Sequence, residues 1–183
     1  MKTIAVLCAL AFASVAVADI ESGLKSGEKV PALKAFGVVG SVEGKEADFA
    51  ADRKDAPTVY LFVSAQEGGI PVGGRPLAQF MKTLDKDITK TDEKAKVVAV
   101  WLGEKAFEKH KEYIPKINMS LKFEKTSLAA FDGEKSGPNG WGINPDAHLT
   151  AIVVKGGKVV KSFAYVTVND TDVPKVLKEL EKK

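Results

Sequence analysis

The stretch that most constrains the fold of this chain runs from Thr58 to Ile88. It reads as a buried strand, a glycine-rich loop and an amphipathic helix in direct succession. Val59-Tyr60-Leu61-Phe62-Val63 is a continuous apolar run, rich in β-branched and aromatic residues, as expected of a strand buried on both faces. Leu77, Phe80, Met81, Leu84 and Ile88 then recur at helical spacing, with Pro76 suited to a first turn. Between them, Ser64 to Arg75 holds four glycines, in Gly68-Gly69 and Gly73-Gly74, but no cysteine, histidine or lysine.

The rest of the chain repeats the theme. Val97 to Leu102 predicts a second buried strand. Glu104 to Ile114 predicts a second helix, with Phe107, His110 and Ile114 on one face and Pro115 ending it. Strand, helix, strand, helix is the unit of a parallel sheet with right-handed crossovers. Met119 to Phe123 is expected to be a short strand and Thr126 to Phe131 a short helix. Leu149–Val154 and Val159–Ala164 flank Lys155-Gly156-Gly157-Lys158, the signature of a tight antiparallel hairpin. A last helix is expected from about Asp172, with Val173, Val176, Leu177 and Leu180 forming its stripe. Before the central strand, Ala35–Val39 and the turn at Glu43-Gly44-Lys45 predict an N-terminal extended segment and hairpin, and Phe49-Ala50-Ala51 one helical turn.

The first 18 residues, MKTIAVLCALAFASVAVA, read as a signal peptide: Lys2 supplies the positive start, Ile4 to Val17 is apolar, and Ala16-Val17-Ala18 is a small-residue cleavage site. The apolar run is shorter than the roughly 20 residues that span a bilayer. The expected organisation is a leader over 1–18 and one domain over 19–183, secreted or periplasmic, with no membrane span after cleavage. Cleavage would remove Cys8, the single cysteine, and with it every disulfide, thiol nucleophile and thiolate metal site. It would also take the net charge from +3 to about +2. Lysines and acids are interspersed, as on solvated helix faces, so nucleic acid is not an expected partner.

The order of elements resembles the thioredoxin fold, and the N-terminal extension resembles that of the peroxiredoxin and alkyl hydroperoxide reductase branch. Gly27-Glu28-Lys29-Val30-Pro31 is similar to the opening of that branch, Val59 to Val63 to the central strand, Trp141-Gly142-Ile143 to the aromatic-Gly-Val/Ile step, and Val153 to Val159 to the closing hairpin. The resemblance implies a single α/β domain, a central mixed sheet flanked by helices with an N-terminal β extension. It also locates the departures. The redox cysteine pair of a thioredoxin would fall near Glu67-Gly68-Gly69-Ile70, and the proline before the hairpin near Leu149, within Ala147-His148-Leu149-Thr150. Neither is present, so thiol oxidoreductase and peroxidase activity is not expected.

The loop lacks the Gly-Lys-Ser/Thr of a phosphate loop and the spacing of a dinucleotide fingerprint. No cofactor or metal is implied, since two scattered histidines make no metal centre. The leading expectation is a binding or interaction module that holds a protein, peptide or small ligand at the old active-site face. The candidate residues are Ser64, Gln66, Glu67, Arg75, Trp141 and His148, with Trp141 weighed against packing over the sheet and Arg75 as a counter-charge near the helix start. A hydrolase-like enzyme using Ser64, Glu67 and His148, and a purely structural exported protein, are the alternatives.

Overall fold

The computed structural model describes residues 20–66 and 68–181; the expected leader, Cys8 and the candidate Glu67 lie outside the described residues. In chain order the elements are β1 (Lys34–Val39), β2 (Glu46–Asp48), α1 (Phe49–Arg53), β3 (Thr58–Ser64), α2 (Gly74–Asp87), β4 (Lys96–Leu102), α3 (Phe107–Leu121), β5 (Thr126–Ala130), β6 (Leu149–Lys155), β7 (Lys158–Tyr165) and α4 (Val173–Glu181). The seven strands make one mixed sheet in the spatial order β2-β1-β5-β4-β3-β6-β7. β3 lies near the middle, parallel to β4 and antiparallel to β6, and is buried along its whole length.

Alternation along β3 builds two cores. Val59, Leu61 and Val63 face a core closed by Leu77, Phe80 and Leu84 of α2, Ile114 of α3, and Val176 and Leu180 of α4. Tyr60 and Phe62 face the other way, against Leu33, Phe49, Trp141 and Ile152. Three helices therefore cover one face of the sheet. The second face is covered by α1 and by irregular chain, including the lead-in before β1, which is stitched on by Gly23 N–H to the Gly142 carbonyl at 2.8 Å and Gly27 N–H to the Val159 carbonyl at 2.8 Å. No helix among the described residues is long and apolar enough to cross a membrane.

The central strand, the N-terminal β extension and the closing hairpin stand as expected. The hairpin turn is carried by Gly156 at φ 56° and Gly157 at φ 69°, the paired positive values that a two-residue turn of this hand requires. Two expectations are corrected on the far side of β4. Pro115 does not end α3, which runs on to Leu121 through the segment expected to be a strand. A proline inside a helix loses one backbone hydrogen bond and costs about 3 kcal/mol. Here Ile114, Ile117 and Leu121 continue one apolar face past it, with Ile114 and Ile117 packed on the core. Lys122, at φ 51°, ends the helix by donating its N–H to the Asn118 carbonyl at 2.7 Å.

Thr126–Ala130 is a strand and not a helix. Its Leu-Ala-Ala sequence favours helix locally, but pairing overrides that preference: β5 lies parallel to β4 and antiparallel to β1, and all its residues are buried. The buried Asp85 carboxylate on α2 pins the start of β5. It accepts from Glu124 N–H at 3.1 Å, Lys125 N–H at 2.8 Å and Thr126 Oγ1 at 2.7 Å.

Candidate functional site: the loop after the central strand and the groove beside it

The loop that leaves β3 folds back on itself. Val72 N–H donates to the Ser64 carbonyl at 2.8 Å, Gln66 N–H to the Ile70 carbonyl at 2.9 Å, and Gly69 N–H to the Gln66 carbonyl at 2.8 Å; Ala65 and Pro71 pair as an isolated antiparallel bridge. These amides serve loop carbonyls, unlike those of a phosphate cradle, which point at a bound anion. Gly69 has φ 77°, and a Cβ there would stand 2.9 Å from the Lys109 backbone. Glycine at this position lets the loop lie directly on the first turn of α3.

The candidate residues divide into three groups. Ser64 and His148 do meet at one end of the sheet, through the backbone: Ser64 N–H donates to the His148 carbonyl at 3.0 Å, and His148 N–H to the Tyr165 carbonyl at 2.8 Å. No hydrogen bond among the described residues joins the Ser64 hydroxyl to the His148 ring, so the pair is not arranged as nucleophile and base. Gln66 is exposed on the loop beside them. Arg75 is exposed in the first turn of α2 and belongs to the groove described below.

Trp141 is corrected outright. It is fully buried on the opposite face, its ring centroid 5.1 Å from Tyr60 and 4.9 Å from Phe62, with Nε1–H donating to the Ala32 carbonyl at 3.0 Å. An indole with its ring packed and its N–H satisfied is part of the core and cannot contact a partner.

Sequence reasoning missed the groove between α2 and α3. It encloses about 500 Å³ and opens beside the loop, walled by Ile70, Leu77, Ala78 and Met81 on one side and by Tyr113, Ile117 and Leu121 on the other. Trp101 lies at its base, fully buried, with Nε1 lacking any partner among the described residues. The wall from α3 exists only because the helix continues beyond Pro115. The apolar spacing of Ile114, Ile117 and Leu121 across that proline is the signal that would have shown it.

Charge in the groove has one sign. Arg75 and Lys116 line it, no carboxylate does, and neither cation is in an ion pair among the described residues. Behind the loop, His110 of α3 is wholly buried with neither ring nitrogen bonded among the described residues, and burial pushes its pKa down to about 4. A Cβ on Gly103 would stand 3.1 Å from both Cε1 and Nε2 of that ring. Among the described residues, no three histidine, cysteine, aspartate or glutamate side chains come together as metal ligands would.

Compared with known proteins, the chain matches no family model and no curated protein sequence. Solved structures do match. A DsbF homologue from Corynebacterium diphtheriae superposes with a TM-score of 0.58 at 15% identity, covering 92% of this chain and 98% of its own. Yeast mitochondrial 1-Cys peroxiredoxin gives 0.56 at 15% identity, over 85% and 75%. The pneumococcal exposed lipoprotein thioredoxin Etrx1, from Streptococcus pneumoniae, gives 0.54 at 17% identity, over 81% and 99%. At these identities the likeness speaks for the fold, and the chain's single cysteine, Cys8, is far in sequence from the loop that would carry thiol chemistry. The protein thus has a thioredoxin-like fold whose loop after β3 contains no sulfur.

Proposed function

We propose that this chain is an exported, non-redox binding module that takes a protein, peptide or small ligand at the face formed by the loop after β3. The observation that carries the reading is the combination at one place: a loop closed on its own carbonyls where a redox pair would stand, and an open apolar groove beside it. A fold that retains its scaffold and a ligand-sized concavity while losing its nucleophile retains the means to bind. Export is supported by the pattern of residues 1–18, in which a positive start, an apolar run and a small-residue cleavage site follow in order. No observation favours the hydrolase-like alternative, since the Ser64 hydroxyl and the His148 ring share no hydrogen bond.

The test is affinity capture from the exported fraction of the source cells, with the wild-type chain and with Gln66→Ala, Arg75→Ala and His148→Ala. These side chains are exposed or half-buried, so each variant should melt close to the wild type. Retained proteins or small molecules should fall at least severalfold with one or more of the three. Undiminished capture by every variant removes this face from the binding site.

A further inference from the structure

We propose that the groove between α2 and α3 binds a small amphiphilic carboxylate, its apolar chain lying over Trp101 and its carboxylate held by Arg75 and Lys116. The inference rests on the reading of this face as a binding site and names the class of ligand. Size comes first. A concavity of about 500 Å³ falls in the range of small-molecule pockets, roughly 300–1,000 Å³. A stable protein partner would need about 800 Å² of surface on each side, far more than a slot between two helices presents. The occupant is therefore a small molecule and not a docked protein.

Chemistry then narrows the class. The walls are aliphatic and aromatic from Leu77, Ala78, Met81, Tyr113 and Ile117, which calls for an apolar body. The mouth adds Ile70, a large apolar side chain left 49% exposed, which a bound chain would cover. Both charged residues on the lining are cations, and neither has a carboxylate partner among the described residues. Two unpaired cations bordering an apolar slot favour an anionic head group, and a guanidinium can hold a carboxylate with two parallel hydrogen bonds.

The experiment titrates purified protein, below the micelle limit, with decanoate, decanol and decylamine, which share one chain and differ in head-group charge. Binding is followed by calorimetry and by tryptophan emission. Decanoate should bind saturably, at least about tenfold more tightly than decanol, as expected for a charge-assisted pair, and decylamine weakest of all. Arg75→Glu with Lys116→Glu should invert the order of decanoate and decylamine without lowering the melting temperature appreciably. Ala78→Trp, which fills the slot, should abolish binding of all three.

No saturable decanoate binding, equal binding of acid and amine, or an order unchanged by the double charge reversal overturns the assignment. The two readings fail separately. If decanoate does not bind while capture still depends on Gln66 or His148, the carboxylate assignment falls and the binding module stands. If decanoate binds in the groove while capture ignores Gln66→Ala and His148→Ala, the loop face falls and the groove remains.

Discussion

The two tryptophans of the chain lie on opposite faces of the same sheet, and they are treated differently. Trp141 is packed against Tyr60 and Phe62, and its N–H is bonded to the Ala32 carbonyl. Trp101 is as deeply buried, yet its N–H has no partner among the described residues and an open groove runs above it. The contrast extends to their neighbours. On the side of Trp101 both nitrogens of His110 and the hydroxyl of Tyr165 are also buried without partners among the described residues. Unbonded buried polar groups lower stability and are scarce in folded proteins. Their concentration on the helical face makes it the face whose buried polar groups are less fully satisfied.

Asp85 sharpens the contrast because it lies on the helical face and is fully engaged. Its carboxylate accepts from two backbone amides and the Thr126 hydroxyl at the start of β5. Asp85→Ala leaves the buried Thr126 hydroxyl and two part-buried amides without their acceptor, and should destabilise by about 2–4 kcal/mol, read from denaturant midpoints at constant m-value. A change below about 0.5 kcal/mol would mean that β5 is held by strand pairing alone.

The same clamp explains what could and could not be read from the residues. β3 and the β6–β7 hairpin were legible because their signals are local: a continuous β-branched run and a Gly-Gly turn. The meeting of Ser64 with His148 followed from strand register. Thr126–Ala130 was not legible, since Ala129 and Ala130 favour helix locally and the strand is imposed by β4, β1 and an aspartate some forty positions upstream. For Trp141 the residues left partner contact and packing over the sheet both open, because its surroundings are glycine-rich; the loop folds across the second face and carries the indole inward. The groove required knowing that α3 crosses Pro115, and so Tyr113, Lys116 and Ile117 could not be assigned to one wall.

His110 offers a pH-dependent test of the same face. Its pKa in the folded state, about 4, lies below the ordinary value of 6.5 because burial disfavours the charged ring. Between these values the unfolded chain binds the extra proton and the folded chain does not. The contribution to stability is complete above pH 6.5 and is lost as the pH falls towards 4, reaching about 2 kcal/mol by pH 5. His110→Leu removes the titrating ring and should flatten unfolding free energy over that interval relative to the wild type. Parallel pH profiles for the two proteins would show that the ring is solvated or bonded in solution, and would weaken the contrast between the faces.

The smallest expected effect discriminates best, because it sets the two tryptophans against each other. Trp141→Phe removes a donor and leaves the Ala32 carbonyl to find another partner, as well as thinning the contact with Tyr60 and Phe62. It should cost about 1–2 kcal/mol. Trp101→Phe removes a donor that bonds to nothing, so the loss of ring volume is offset by relief of a buried unsatisfied N–H, and the net change should stay within about 0.5–1 kcal/mol. The ratio between the two variants, measured in one denaturant series, is the informative quantity, because errors of extrapolation are shared. If Trp101→Phe is the more destabilising, its N–H is satisfied in solution and the groove has a different floor. If the order holds, the Trp101 N–H contributes nothing to folding, and the contrast between the two faces of the sheet stands.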